Sequence, residues 1–295
     1  MQMNEKKGAF RCLFFALPPI LTRVLALAIT CVLASLLYSP VILAEFSHVS
    51  ANLCPAQHID QQAKVKYVHD GDTIVLKNGE KIRLIGINTA ELARKQKNTV
   101  IKAEPCANAA RDYLKQLLPQ NTTIRLQLGQ DKKDHYGRTL AHVFLSSGEN
   151  VQANLLKQGL ASAIIIPPND SLANCYRKVE QLARCQKLAL WSQSSHILNS
   201  QQVTSSAKGF HLVQGKVTHI ERNRYGIWIQ LAGGLTLGIR PQNQPLFDMK
   251  HITSLTGKVL LARGWLNKGK NNQPYMRIRH PLSLEVVSKN ICLSN

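Results

Sequence analysis

Alternating apolar and polar positions begin at residue 65 and predict a β-hairpin. Three short segments alternate with the two-residue period of a strand that buries one face, namely residues 65–68, 73–77 and 82–87. Before the last of them lies Asn78-Gly79, a dipeptide that favours a two-residue turn in which both residues take positive φ. The pattern therefore predicts that Asp72 and Arg83 lie on paired strands of one small sheet.

Helical and strand-like segments follow up to residue 190. Pro105 suits the first turn of a helix, and the apolar spacing over 107–118 continues that helix. Two strands, a short helix and a longer helix are then predicted at 122–128, 139–145, 151–158 and 171–190. The buried side of the longer helix is expected to carry Val179, Leu182 and Leu190. The lysine-rich interval 92–103 has no period, so we expect a mobile loop there.

A second unit is predicted after a change of composition. Residues 193–208 are rich in Ser and Gln, which is typical of a linker. Five alternating segments with glycine punctuation follow at 212–220, 225–231, 235–239, 258–266 and 275–287. With a short helix inside 245–255, before the fourth strand, they favour a small all-β barrel of the OB type over 209–289. A half-open sandwich would give the same pattern.

This second unit also combines aromatic and cationic residues, namely Tyr225, Trp228, Trp265, Tyr275, Arg277 and Arg279. Barrels of this type can hold single strands of nucleic acid by stacking bases on aromatic side chains within a basic groove. The simpler interpretation makes Trp228 and Trp265 core residues of the barrel. Nucleic-acid binding by this unit is therefore a hypothesis.

The first 44 residues have the pattern of a targeting segment. Basic residues lead into an apolar run over 24–37, and Ala44 ends a tolerable cleavage site. We predict a signal peptide over 1–44, an irregular lead-in over 45–60, and export to the periplasm or out of the cell. An uncleaved anchor is the alternative, because residues 24–44 come close to the roughly 20 residues that span a bilayer.

Composition adds a strong positive charge. The chain has 295 residues and 44% hydrophobic content, enough for one or two domains with real cores. A net charge of +20, with a pI of about 9.9, favours polyanionic partners such as nucleic acid or an anionic membrane surface. A basic exported protein without such a partner would have the same totals. Charge alone therefore supports nucleic acid only weakly.

Seven cysteines bear on the compartment. Cys12 and Cys31 lie in the predicted leader, and the others would meet an oxidising environment in which disulfides form. The odd number that remains leaves at least one thiol free or paired between chains. No CxxC pair or Cys/His cluster has the spacing of a structural zinc site.

Two arginines and two acids carry the candidate chemistry. They are Asp72 within Asp70-Gly71-Asp72-Thr73, Arg83, Glu91, and Arg138 within Tyr136-Gly137-Arg138. A carboxylate can hold a divalent cation, and two guanidiniums can neutralise a phosphate. A second carboxylate can activate water. This set of residues meets the needs of phosphodiester cleavage.

Residues 64–191 resemble the staphylococcal nuclease (thermonuclease) family. The matching stretches stand in the family's order with near-matching spacing: Asp70-Gly71-Asp72-Thr73, Arg83-Leu84-Ile85, Thr89-Ala90-Glu91, Tyr136-Gly137-Arg138, Leu156-Lys157-Gln158-Gly159-Leu160-Ala161, Arg177-Lys178-Val179-Glu180 and Leu190-Trp191-Ser192. The resemblance implies an α+β fold over 61–192, an OB-type five-stranded β-barrel with three helices. It also implies calcium-assisted hydrolysis of DNA and RNA.

The resemblance further implies roles for individual residues. Arg83 and Arg138 match the family's phosphate-binding arginines. Glu91 matches the glutamate that acts as general base or orients water. Asp72 matches the main calcium ligand, and Thr89 matches a position that gives its backbone carbonyl to the ion. Asp70, in contrast, is expected to serve the turn.

Asn88 departs from the family, which has a second calcium-binding Asp at this position. Asn keeps an oxygen ligand but loses one negative charge, so Ca²⁺ remains the expected metal, with Mg²⁺ or Mn²⁺ as alternatives. Residues 164–166 are isoleucines where the family has tyrosines that line the nucleotide pocket, which puts base stacking there in question. Tyr136 and the adjacent His135 are expected to contact substrate, and a packed loop aromatic is the alternative for Tyr136.

Cys54 lies before the barrel and Cys175 lies on the last predicted helix of the nuclease-like unit. We predict that they pair and attach the lead-in to that helix, although the sequence does not assign partners. Cys106 and Cys185 could instead pair with each other or stay free.

Two functions compete at this point. The leading hypothesis is an exported, metal-dependent endonuclease that acts on DNA and RNA as a monomer, without a protein partner, and meets a membrane only through an uncleaved leader. The rival is a nucleic-acid-binding protein with weakened catalysis on a nuclease scaffold, which Asn88 and the isoleucines suggest. The ordered motifs make a third option remote, namely an envelope protein that meets anionic lipid or polysaccharide.

Overall fold

Strands dominate the first part of the chain, and three helices pack around them. The computed structural model describes residues 53–96, 99–288 and 292. Its strands up to residue 163 are β1 (Gln61–Val68), β2 (Thr73–Leu76), β3 (Lys81–Leu84), β4 (Ile87–Asn88), β5 (Arg94–Gln96), β6 (Thr99–Ile101), β7 (Thr123–Lys133), β8 (Thr139–Leu145) and β9 (Ser162–Ala163). The helices are α1 (Ala107–Leu117), α2 (Val151–Lys157) and α3 (Ala173–Cys185). The predicted leader lies outside the described residues.

Five of these strands close into a barrel in the order β1-β2-β3-β8-β7. Strand β7 returns to pair with β1, and β3 pairs with β8 in parallel. Apolar side chains from the barrel and the helices form one buried cluster, which includes Val65, Ile74, Ile82, Leu84, Leu114, Ile124, Leu126, Leu155 and Tyr176. The expected OB-type barrel with helices is confirmed.

The turn between β2 and β3 differs from the predicted one. Gly79 has φ of 86°, but Asn78 does not share a positive φ. The amide of Leu76 donates to the carbonyl of Glu80, which closes a three-residue loop. Asn78 acts through its side chain instead, since its Oδ1 accepts the Glu80 amide at 3.0 Å. The hairpin forms as predicted, with a longer turn.

The interval 92–103 was expected to be a loop but contains a small hairpin. Strand β5 pairs with β6 in antiparallel register. The side chains of residues 99–101 are exposed. A strand with no buried face has no reason to alternate apolar and polar residues, which is why periodicity missed it.

Helix α3 is shorter than predicted. It ends at Cys185, and the chain then turns through positive φ at Lys187 and Ala189. Leu190 is buried as expected, but it lies in the short 3-10 turn Ala189–Ser192. Leu182 was expected to be buried and is 42% exposed.

A second five-stranded barrel follows. Beyond residue 192 the strands are β10 (Ile197–Asn199), β11 (Gly209–Asn223), β12 (Gly226–Leu231), β13 (Thr236–Ile239), β14 (Val259–Lys268), β15 (Pro274–Arg277) and β16 (Leu284–Val286), with helix α4 (Met249–Thr253). Pairing runs β11-β12-β13-β15-β14, and β14 pairs back onto β11. Strand β13 pairs with β15 in parallel, as β3 does with β8. The two barrels therefore have the same connectivity.

Strands β10 and β16 extend this second sheet at its margins. Strand β10 runs parallel to β11 and lies inside the interval predicted as a linker. Ser200 follows this strand and is buried. Its hydroxyl donates a hydrogen bond to the carbonyl of Ala232 at 2.6 Å. Residues 193–208 therefore contribute to the folded sheet.

The two tryptophans are not core residues, contrary to the preferred interpretation. Trp265 is 40% exposed and Trp228 is half-buried. The barrel interior is filled by aliphatic side chains, and the inward positions of β12 are Ile227, Ile229 and Leu231. Trp228 has the opposite parity and therefore lies on the outer face.

Two disulfides attach to helix α3. Cys54 and Cys175 are bonded, as proposed from the sequence. Cys185 is bonded to Cys292 and not to Cys106, which has a free thiol. No sequence pattern indicated this second pair, because the partners of a disulfide depend on which residues the fold brings within bonding distance.

A buried carboxylate joins the two barrels. Glu180 on α3 is fully buried, and its Oε1 accepts from Arg263 Nη1 of β14 at 2.8 Å and from the Ala163 amide of β9 at 2.8 Å. Burial alone would raise the pKa of Glu180, but the charges of Arg263 and Arg177 lower it to about 2. The described residues 53–288 thus form one compact unit around this contact.

A second acid extends the network. Glu285 on β16 is paired with Arg177 and with Arg184, whose Nη1 lies 2.7 Å from Glu285 Oε2. Both arginines belong to α3, so the helix of one barrel is joined to two strands of the other. Among the described residues, no helix is both long and apolar enough to cross a bilayer.

We predict that Glu180→Gln lowers the free energy of unfolding by about 3–5 kcal/mol at pH 7, because Arg263 is left buried without its charge partner. The pKa of Glu180 lies below its ordinary value, so its ionised form stabilises the fold above about pH 4.5 and loses this contribution as the pH falls toward 2. Urea unfolding at pH 7 and pH 3 measures both effects. The difference between wild type and variant should shrink at pH 3. Lys178→Gln, exposed on the same helix, is the control, and a pH-independent difference would contradict the prediction.

Candidate active site

Asp72 lies at the start of β2 and is 8% exposed. Its Oδ2 accepts from the amide and the hydroxyl of Thr89, both at 3.2 Å, and lies 3.0 Å from Arg83 Nη2. Its Oδ1 accepts from the Thr73 hydroxyl at 3.2 Å. Strand pairing explains the approach, because Thr73 lies opposite Arg83 and the Leu84 amide donates to the Asp72 carbonyl.

Arg83 is held at several points. Besides Asp72, its Nη1 donates to the Leu84 carbonyl at 2.6 Å and its Nη2 donates to the Ile87 carbonyl at 3.0 Å. These carbonyls belong to the last residue of β3 and the first residue of β4. The guanidinium is therefore positioned before any ligand binds, which is the arrangement that electrostatic stabilisation requires.

Thr73 connects this pair to the second arginine. Its hydroxyl donates to Asp72 and accepts from Arg138 Nη1 at 3.3 Å. Arg138 also donates from Nε to Asp134 Oδ2 at 2.8 Å. The structure thus brings Asp72, Arg83 and Arg138 into one network, although 55 residues separate the two arginines along the chain.

Asp134 orients Arg138 from within the β7–β8 loop. Its Oδ1 accepts the backbone amides of Tyr136 and Arg138 at 2.9 and 3.0 Å. Burial would raise the pKa of Asp134, but its hydrogen bonds from the side chain and backbone of Arg138 lower it. The carboxylate therefore stays ionised and fixes the guanidinium.

Glu91 lies on the exposed segment after β4. Burial and then the charge of Asp72 raise the pKa of its carboxyl, while Arg94 lowers it. Asp70 and Glu104 add smaller increases. Glu91 is therefore close enough to Asp72 to feel its charge, and its raised pKa suits a group that accepts a proton from water.

Asn88 is the last residue of β4, and Thr89 follows it. Strand β4 is held by β9, with Asn88 opposite Ser162. The Asn88 amide nitrogen donates to the Thr89 carbonyl at 3.3 Å, so that carbonyl already has a polar partner. No three His, Cys, Asp or Glu side chains within the described residues gather as a metal site.

The charges around Asp72 nevertheless fit a hard cation. Asp70 has a pKa raised by burial and by the charge of Asp72, and Asp72 acts on Glu91 in the same way. The available donors are carboxylate, amide and carbonyl oxygens, which are the ligands that Ca²⁺, Mg²⁺ and Mn²⁺ prefer. A cation at Asp72 would relieve this repulsion. Asp70 also serves the turn as predicted, because its Oδ1 accepts the Asp72 amide at 3.0 Å.

Tyr136 and His135 lie at the exposed tip of the loop that carries Arg138. Tyr136 is 73% exposed, so it is not the packed loop aromatic that was the alternative interpretation. Its ring lies 3.7 Å from that of His135, and the Arg138 guanidinium lies 5.5 Å from its centroid. Substrate contact by either residue stays a prediction.

The isoleucines at 164 and 165 face the second barrel. They are 6% and 5% exposed and line a small cavity with Trp265 and Arg277. The neighbouring Ala163 carbonyl accepts from Arg263 at 2.8 Å. Apolar residues fit this segment because the second barrel covers it.

Sequence reasoning missed three residues of the site. Thr73 links the two halves, Asp134 fixes Arg138, and Glu104 accepts the Glu91 amide at 2.9 Å. Thr73 belongs to the Asp70-Gly71-Asp72-Thr73 motif and Asp134 lies two residues before the Tyr136-Gly137-Arg138 motif, so proximity was the available signal. For Glu104, which lies across the β5–β6 hairpin, the sequence offered none.

Comparison with known proteins places the chain in a family. Residues 81–193 match the family model described as Staphylococcal nuclease homologue. The chain is 39% identical over 132 residues to a thermonuclease of Staphylococcus intermedius, which covers 44% of this chain and 75% of that protein. It is 36% identical over 136 residues to a thermonuclease of Staphylococcus hyicus, with 45% and 77% covered.

Endonuclease YncB of Bacillus subtilis is 38% identical over 135 residues, with 44% of this chain and 61% of that protein covered. The chain belongs to the staphylococcal nuclease family. The nuclease homologues support a nuclease function, and the second barrel lies beyond the residues that match the family model.

We predict that Asp72→Asn lowers the pKa of Glu91, because it removes a negative charge that disfavours ionisation. Arg94→Ala should shift the same pKa upward, since Arg94 is the nearby charge that lowers it. NMR titration of the Glu91 carboxyl carbon reads both. A Glu91 pKa that does not respond to either change would show that the carboxyl is remote from the network.

Proposed function

We propose that this protein is an exported, metal-dependent nuclease that hydrolyses phosphodiester bonds of DNA and RNA. The observation that carries the proposal is the Thr73 hydroxyl, which bonds both Asp72 and Arg138 while Asp72 pairs with Arg83. A fixed pair of guanidiniums beside an acidic cluster is suited to an anionic ester that must gain charge in the transition state.

Arg138 is the better placed of the two arginines for phosphate. The described contacts use its Nε and Nη1, which leaves Nη2 for a phosphate oxygen. Arg83 lies deeper, with 13% of its side chain exposed, and adds positive charge behind Asp72. Together they would neutralise the charge that develops on the reacting phosphate.

Glu91 would take the proton of the attacking water. The pKa of Glu91 is raised, so it lies closer to neutral pH than the pKa of an ordinary glutamate, and the carboxylate is the stronger base. Its backbone is held by Glu104, which bonds the Glu91 amide with its carboxylate and the Glu91 carbonyl with its own amide. By resemblance to the family, the products would carry a 3′-phosphate and a 5′-hydroxyl.

Asp72, Asn88 and the Thr89 carbonyl would hold the divalent cation. When bound, the cation would polarise the phosphate. It would also neutralise part of the negative charge that develops on the phosphate near Glu91 and Arg138. The Asn88 side chain would have to turn its oxygen toward the ion, because its nitrogen now donates to Thr89. Ca²⁺ is the proposed metal.

Export is supported by the disulfides that Cys54 and Cys185 form, since such bonds persist in oxidising compartments. A monomer that needs no protein partner is proposed, with residues 61–192 as the nuclease domain and 209–289 as an accessory barrel.

We predict that Arg83→Ala or Arg138→Ala lowers turnover by about 10²–10³, the usual effect of removing one preorganised electrostatic donor. Lys133→Ala, exposed on β7 near the same loop, is the matched cation control and should keep near-normal turnover. Plasmid digestion with Ca²⁺, with Mg²⁺ and with chelator measures the rates. Full activity in either arginine variant would refute the assignment. DNA binding by the wild type without cleavage under any condition would favour the weakened-scaffold alternative.

We predict that Asn88→Asp tightens Ca²⁺ binding and Asn88→Ala weakens it, because the first adds a carboxylate ligand and the second removes an oxygen ligand. The rise of the melting temperature with Ca²⁺ concentration measures binding without an activity assay. Equal Ca²⁺ dependence in wild type and both variants would place the ion away from residue 88.

A further inference from the structure

The outer face of the second barrel carries aromatic rings and arginines in register. Trp228 on β12 lies opposite Gly238 on β13, and Gly238 lies opposite Arg277 on β15. The alternate positions of these strands, such as Ile229 and Met276, fill the barrel interior. Side chains of opposite parity therefore point to the outside.

Gly238 lets two rings close over the sheet. A Cβ at this position would lie 2.5 Å from the Tyr275 ring and 2.9 Å from the Trp228 ring. The centroids of those rings are 6.2 Å apart. The absence of a side chain at 238 therefore lets the rings of Tyr275 and Trp228 pack side by side over the strand.

Arginines lie over the exposed rings. The Arg224 guanidinium is 4.6 Å from the centroid of Tyr225, which is 56% exposed, and the Arg240 guanidinium is 5.5 Å from the centroid of Trp228. We call the surface formed by Arg224, Tyr225, Trp228, Arg240, Tyr275 and Arg277 the aromatic–arginine face.

The arginines of this face are not ion-paired. Its register also contains one acid, Glu221, which lies opposite Trp228 and accepts a hydrogen bond from Asn223 at 2.8 Å. Within the described part of the chain, none of its arginines has an acidic partner in the ion pairs, whereas Arg263 of the same barrel is paired with Glu180. Residues 209–288 hold eleven lysines and arginines against three acids. One of those acids, Glu285, is already paired with Arg177 and Arg184.

Two polar atoms of the face also lack partners. The hydroxyl of Tyr275 and the Nε of Arg277 are buried and make no hydrogen bond to the described residues. The contact between Arg277 Nη2 and Asn243 Oδ1, at 3.5 Å, is long for a hydrogen bond. Buried donors of this kind are normally satisfied, so a ligand that brings acceptor oxygens fits here.

The face continues to the junction of the barrels. Arg277 also lines the small cavity that Ile164 and Ile165 line from the first barrel, together with Arg279. A nucleic-acid strand laid on the face from Tyr225 toward Arg277 would therefore reach residues 164–165. These residues follow β9, which pairs with β4, the strand that carries Asn88.

We propose that the aromatic–arginine face binds single-stranded nucleic acid, with bases stacked on Tyr225, Trp228 and Tyr275 and phosphates on the arginines. Stacking on these rings requires unpaired bases, and the bases of a duplex are already paired and stacked on one another. The proposal deepens the proposed nuclease function by giving the accessory barrel the task of holding the substrate strand.

The test compares two variants of the full chain, each also carrying Arg138→Ala and kept in chelator to prevent cleavage. The face variant is Arg224→Ala/Tyr225→Ala/Arg240→Ala, at exposed positions. The control variant is Lys216→Ala/Lys258→Ala, which removes the same charge from exposed sites outside β12, β13 and β15. Fluorescence anisotropy follows binding to an oligothymidylate of about 20 nucleotides and to an abasic strand of the same length.

We expect the face variant to bind oligothymidylate at least about tenfold more weakly, and the control variant to stay within about twofold of the parent. The abasic strand should bind the parent more weakly than oligothymidylate. Equal losses in both variants would overturn the proposal, since only net charge would then matter. Equal binding of the abasic strand would overturn it as well, because a polyanion site without base stacking would explain the result.

Cleavage assays with Arg138 intact separate this proposal from the nuclease proposal. The ratio of kcat/KM for the oligonucleotide to that for a trinucleotide should fall at least about fivefold in the face variant. An unchanged ratio, in an enzyme that cleaves both, would overturn the role of the face in holding substrate. No cleavage by any version, with the binding differences intact, would refute the nuclease proposal and leave the face as a binding site.

Discussion

The buried carboxylate of Glu180 is the contact on which the arrangement of the molecule depends. It accepts hydrogen bonds from Ala163 on β9 and from Arg263 of the second barrel. Strand β9 in turn holds β4, which carries Asn88. A buried charge is tolerated only when all its partners are in place. The folding of helix α3, the position of the strand that carries Asn88 and the packing of the second barrel are therefore coupled through one side chain.

The two barrels share one connectivity and present different chemistry. The first gathers carboxylates and arginines where β2 and β3 pair and where the β7–β8 loop returns. The second offers rings and arginines on the outer face of β12, β13 and β15. A closed barrel satisfies its own backbone, so loops and faces are free to vary without loss of the fold. The second surface reaches the junction of the barrels through Arg277, which lines a small cavity with Ile164 and Ile165.

One departure from the family pattern, the isoleucines that follow β9, has a physical explanation in the second barrel. Ile164 and Ile165 replace aromatic residues at a place where the second barrel excludes water, so apolar side chains are favoured there. Both disulfides attach to α3, one from the lead-in through Cys54 and one from the end of the chain through Cys292. Helix α3 is thus joined covalently to the lead-in and to Cys292, and by ion pairs to β14 and β16.

Local sequence patterns were sufficient to predict the elements whose side chains alternate against a core, and local motifs singled out Asp72, Arg83, Glu91 and Arg138 as candidates. Such features depend on neighbours along the chain, which a sequence displays directly. The β5–β6 hairpin was not predicted because neither of its faces is buried. The outward position of Trp228 was not predicted because composition does not reveal which face of a strand is filled by aliphatic residues. Three contacts become visible only in the folded chain: Thr73 links Asp72 to Arg138, Cys185 pairs with Cys292, and Glu180 pairs with Arg263. These contacts join residues distant in sequence, and their partners are chosen by how the barrels close and pack.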